Sequence, residues 1–176
     1  MKFSKLGVLA AFAMLASVPC AAMAATTGTQ TFTVTVPESI SIVAPNAVTI
    51  THDKSDLAQK FPAQAWVVKG NIKKGVNVAF ATATPFVNTE DTSFKRDAKL
   101  ELALNGKQGP ASWTVEVPTD TSNYAGNKPG ASVSAKSDGV GRANFDLTVS
   151  FITEDFNLFA AGDYTTTVTG TITANP

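Results

Sequence analysis

Residues 159–176 read FAAGDYTTTVTGTITANP, and this stretch decides the fold. From Tyr164 two sets of side chains interleave. Tyr164, Thr166, Val168, Gly170 and Ile172 form one, and Thr165, Thr167, Thr169, Thr171 and Thr173 the other. A period of two marks a strand that buries one face. Threonine suits the opposite face, because its β-branch fits the pleat while its hydroxyl stays hydrated.

The same alternation recurs upstream. It runs through Phe32, Val34 and Val36, then Ile40 and Ile42, Val48 and Ile50, and Val76, Val78 and Phe80. Further sets are Leu100, Leu102 and Leu104, then Trp113, Val115 and Val117, then Phe145, Leu147, Val149 and Phe151. Turn signals separate the later runs at Asn105-Gly106, Gly109-Pro110, 127–130 and Asp138-Gly139. Short strands, frequent turns and no amphipathic helix predict an all-β chain, an antiparallel β-sandwich of Greek-key type. In such sandwiches a tyrosine opens a late strand, its hydroxyl bonding back to the upstream backbone. The expected structural corner is therefore Gly162 and Tyr164, with Phe159 filling the core. HDKSDLAQKF, residues 52–61, is expected to form one short helical turn.

The chain opens MKFSKLGVLAAFAMLASVPCAAMA. Lys2 and Lys5 precede a short, Ala-rich apolar run, and Ala22-Met23-Ala24 is a small-x-small cleavage pattern. This reads as a signal peptide over residues 1–24, with export to periplasm, cell surface or medium. Lipoprotein anchoring through Cys20 is disfavoured by Pro19, where a small residue is needed. The mature chain is expected to be a single domain, 25–176, without a membrane span. Cys20 leaves with the leader, so neither disulfide nor thiol chemistry remains. Lys2 and Lys5 leave too, so 12 basic residues face 14 acidic ones, a net charge of −2. That balance disfavours nucleic acid and anionic membrane as partners.

No catalytic, cofactor or metal motif emerges. His52, the only histidine, stands beside Asp53 without a nucleophile elbow, and reads as a loop residue whose replacement by alanine is silent. Asp53 with Asp56, and Glu90 with Asp91, fit no calcium-loop spacing. Lys95, Arg96 and Asp97 read as edge or loop charges that discourage aggregation. Trp66 and Trp113 read as core. In FITEDFNLF, residues 151–159, Phe156 and Phe159 are expected to reach inward past a crossing loop.

The tail AGDYTTTVTGTITA (161–174) resembles the C-terminal strand of chaperone–usher pilins and of spore-coat U-like secreted domains. TQTFTVTVPESISI (29–42) resembles a pilin N-terminal extension entering its first strand. The resemblance covers the two ends of the chain, and the disulfide of many pilins is absent. It implies an incomplete immunoglobulin-like sandwich whose extension fills the open groove of the next subunit. Phe32, Val34 and Val36 are then the donor-strand residues, and the partner is a further copy in a fibre. SWTVEV (112–117) and the tail are also similar to the cell-wall-binding WxL domain, with Val115 in place of its leucine. Two functions follow from these readings. One is a non-enzymatic, secreted structural or surface-assembly subunit. The other is a stand-alone extracellular binding or coat module whose first strand completes its own sandwich.

Overall fold

Thirteen strands and a single turn of 3-10 helix make up the computed structural model, which describes residues 26–176. The expected leader lies outside the described residues. In chain order the strands are β1 (Ile40–Val43), β2 (Gln59–Lys60), β3 (Gln64–Gly70), β4 (Val76–Thr82), β5 (Phe86–Asn88), β6 (Lys95–Arg96) and β7 (Ala98–Gln108). There follow β8 (Trp113–Val117), β9 (Thr119–Thr121), β10 (Ala131–Ser137), β11 (Gly141–Phe151), β12 (Tyr164–Thr165) and β13 (Val168–Ala174). The fold is all-β, and every paired strand is antiparallel.

Two sheets face each other. One runs β1-β3-β11-β7-β9, with β2 beside β11; the other runs β13-β4-β10-β8. Their inward residues form one core, as in a β-sandwich. Trp66, Val68, Leu100, Leu102, Phe145 and Leu147 come from the first sheet, and Val76, Val78, Phe80, Trp113, Val133 and Ala135 from the second. The aromatic rings interlock across the layers. Trp66 meets Phe80 at 5.1 Å, Phe80 meets Phe145 at 6.1 Å, and Phe145 meets Trp113 at 5.7 Å, all edge-to-face.

A small third sheet, β12-β5-β6, covers a second cluster of Phe86, Ala98 and Phe151, joined by Phe61, Phe159 and Tyr164. Val149 packs against both clusters and links them.

Three expectations need correction. Asn105-Gly106 is not a hairpin turn: β7 passes through it, and the register slips between Asn144 and Phe145. The pair forms a bulge, two residues opposing one, and the turn falls later at Gly109-Pro110. Val48 and Ile50 lie in an irregular stretch, because residues 44–58 have no sheet partner. The expected helical turn at 52–61 is replaced by bends and β2, whereas the 3-10 turn forms at Phe156–Leu158.

Candidate functional site

The apolar alternation of Phe32, Val34 and Val36 is not used in a strand. Residues 26–39 carry no regular structure, and these three side chains are 83%, 86% and 75% exposed. Burying such side chains is worth roughly 1.5–3 kcal/mol each, so their exposure is an unsatisfied tendency to associate.

Regular structure begins where Asn71 fixes the backbone. Asn71 N donates to Ser39 O at 3.1 Å, Ser39 N donates to Asn71 Oδ1 at 2.6 Å, and Asn71 Nδ2 donates to Pro37 O at 2.8 Å. These bonds start β1, which pairs only with β3 and ends its sheet. At the other chain end β13 pairs only with β4 and ends the facing sheet. Asn175 holds its terminus, donating from N to Gly75 O and from Nδ2 to Lys74 O and Ser137 O, at 2.8–3.0 Å.

Between these end strands lies a seam that is only partly closed. Ile42, Val168 and Ile172 pack on the core but are half-buried, and Ile40 is exposed. Gly170 is needed here. A Cβ at this position would stand 2.7 Å from both Ile42 Cδ1 and Trp66 Cζ3, so glycine is what lets the opposite sheet approach. The outward threonines of β13 are exposed and the alternate set is half-buried.

The Gly162–Tyr164 corner sits above the second cluster. Tyr164 Oη donates to Ala160 O at 2.9 Å. Gly162 has φ +133°, and a Cβ there would lie 2.8 Å from Asn88 Nδ2. Phe159 and Tyr164 both contact Phe151 edge-to-face.

His52 is a loop residue, but it is not idle. Its ring packs among Phe151, Phe156 and Phe159 at 5.2–5.8 Å, edge-to-face on Phe151 and Phe159 and tilted against Phe156. Lys54 N donates to Nδ1 at 3.0 Å, leaving Nε2 as donor to Thr153 Oγ1 at 2.9 Å. The hydroxyl of Thr153, itself fully buried, donates onward to Leu57 O at 2.7 Å. No local sequence signal announces this, because Thr153 is 101 residues away from His52.

Arg96 also departs from expectation. Instead of decorating an edge it is buried, its guanidinium 4.8 Å above the Phe159 ring and 3.9 Å from Glu154. Its neighbour Asp97 accepts from Ser122 Oγ and Tyr124 N, tying the start of β7 to the segment that follows β9.

Asp53 and Asp91 are engaged within their own loops, whereas Asp56 reaches a distant one. Asp53 accepts from Ser55 N and Gln59 Nε2, both at 2.8 Å, and the Ser55 hydrogen bond holds its carboxyl below the ordinary aspartate range. Asp56 accepts from Phe156 N at 2.8 Å, and Asp91 from Ser93 N at 2.9 Å. Among the described residues no three His, Cys, Asp or Glu side chains are grouped to hold a metal ion. No described helix is long and apolar enough to cross a membrane. No protein-family model, curated protein or solved structure matches this chain.

Proposed function

We propose that this chain is an exported, non-enzymatic assembly subunit with an immunoglobulin-like sandwich that associates by strand donation. Phe32, Val34 and Val36 of one copy would enter the seam between β1 and β13 of another. There the backbone of residues 29–36 would pair with a free strand edge, and alternate side chains would cover Val168, Gly170 and Ile172. The observation that carries this reading is the exposure of the alternating segment outside any strand. The half-buried apolar lining of two end strands supports it, since open edges of this kind invite pairing. The resemblance of both chain ends to chaperone–usher pilins points the same way.

A second reading, a stand-alone secreted coat or binding module, draws on Ile42. Its side chain already reaches Gly170 across the seam, so the chain supplies part of its own closure.

Light scattering after size exclusion, followed by electron microscopy, separates the two. Strand donation predicts concentration-dependent oligomers or fibres, abolished by Phe32→Asp with Val34→Asp while circular dichroism stays unchanged. A monomer at all concentrations, indifferent to that double substitution, supports the stand-alone module instead.

A further inference from the structure

On the outer face of the β1-β3-β11-β7-β9 sheet, one transverse row reads Ser41, Lys69, Arg142 and Gln108, as the strand registers dictate. Lys69 and Arg142 are directly opposite each other on neighbouring antiparallel strands. Side chains so placed have Cβ atoms about 4.5–5.5 Å apart, and like charges in that relation repel. Neither takes part in any ion pair among the described residues. The nearest acid along β11 is Asp146, four residues on and therefore about 13 Å away, and it is engaged by Asn105 Nδ2 at 3.1 Å.

Two shallow recesses flank the half-buried Arg142. One, about 130 Å³, is bounded by Gly106, Gln108 and Asn144 where β7 bulges. The other, about 250 Å³, is bounded by Ser39, Lys69 and Asn71. At Gly106 a Cβ would meet nothing within 4 Å, so the bulge leaves open space beside the guanidinium. The recesses are bordered by three cations, Lys69, Lys107 and Arg142, with hydroxyl and amide groups and the apolar Val140, and by no carboxylate.

We propose that this row is an oxyanion site, in which Lys69 and Arg142 together bind a carboxylate or sulfate group. The guanidinium offers two parallel N–H donors that match such a group, and the ammonium adds a point charge beside it. An anion placed between them removes the repulsion that the bare cross-strand pair carries. The hydroxyl and amides at the rim suit the neutral polar groups of a larger molecule bearing the anion. This site is on the opposite face of its sheet from the core and does not depend on strand donation.

Amide chemical shifts followed by nuclear magnetic resonance test the proposal, using sodium sulfate, sodium acetate, sodium glucuronate and sodium chloride at matched ionic strength. Saturable shifts confined to residues around Gly70, Gly106 and Arg142 are expected with the oxyanions and not with chloride. Tighter binding of glucuronate than acetate identifies a carboxylated sugar as the carrier; equal binding assigns the site to the oxyanion group alone. Arg142→Gln should weaken binding at least tenfold, whereas Lys54→Gln, on a distant loop, should not. Lys69→Gln should raise the thermal midpoint measured without oxyanion, because it removes the cross-strand repulsion. Shifts that fail to saturate, that chloride reproduces, or that survive Arg142→Gln would overturn the proposal.

Discussion

Tyr164 joins two demands at one position. Its ring fills the second cluster, and its hydroxyl closes a bond to the carbonyl of Ala160. Tyr164→Phe keeps the ring and leaves that carbonyl without its donor, so it should cost about 1–3 kcal/mol. Thr165→Val, one residue on and exposed, loses no buried partner and should change stability little. Urea unfolding of both variants makes the comparison; a larger loss for Thr165→Val would reverse the assigned faces of the strand. His52 obeys the same logic. Removing its imidazole strips Thr153 Oγ1 of a donor and three phenylalanines of a neighbour, so the substitution is structural rather than silent.

The period-two pattern made most of the strands legible, because burial of one face writes itself directly into the order of residues. Trp66 and Trp113 could be assigned to the core for that reason. What stayed hidden depends on partners far along the chain. Nothing near Asn105-Gly106 reveals that β11 continues opposite it and turns a hairpin signal into a bulge. Arg96 is drawn inward by Phe159, 63 residues later, which no local charge pattern encodes. At the seam the alternation of Phe32, Val34 and Val36 was visible, but whether a strand forms depends on a pairing partner. Asp120 illustrates a connection between elements that can be tested by pH. Partial burial pushes its carboxyl upward, but hydrogen bonds from Lys128, Ser132 N and Thr121 N outweigh this and leave it below 3.8. A lowered folded-state value gives stability that is complete above the unfolded value and is lost as pH falls through the folded one. Acid unfolding followed below pH 4 should therefore be shallower for Asp120→Asn, which accepts hydrogen bonds but does not titrate. An unchanged pH slope would show that Asp120 does not anchor β9 to the start of β10.

At the scale of the molecule the interior is divided. The larger core lies between two broad sheets, whereas the smaller one lies under short strands and loops at the ends of β7 and β11 and is joined to the first by those strands and by Val149. The β11–β7 ladder runs under both, ending with Phe151 opposite Ala98, but the sheet that covers the smaller cluster is held by short ladders, since β12 pairs β5 and β5 pairs β6 over two residues each. That sheet is a natural unit of partial unfolding: β5, β6 and β12 can come away while the larger core remains intact. Amide hydrogen exchange would reveal this as a group of protons on β5, β6 and β12, together with that of Thr89 just after β5, released together well before those of β4 and β10. Equal protection across all these strands would mean that Val149 binds the two clusters into one cooperative unit. If the protons are released separately, the Tyr164 corner is a latch on a part of the protein that breathes by itself, and its loss would loosen that part first.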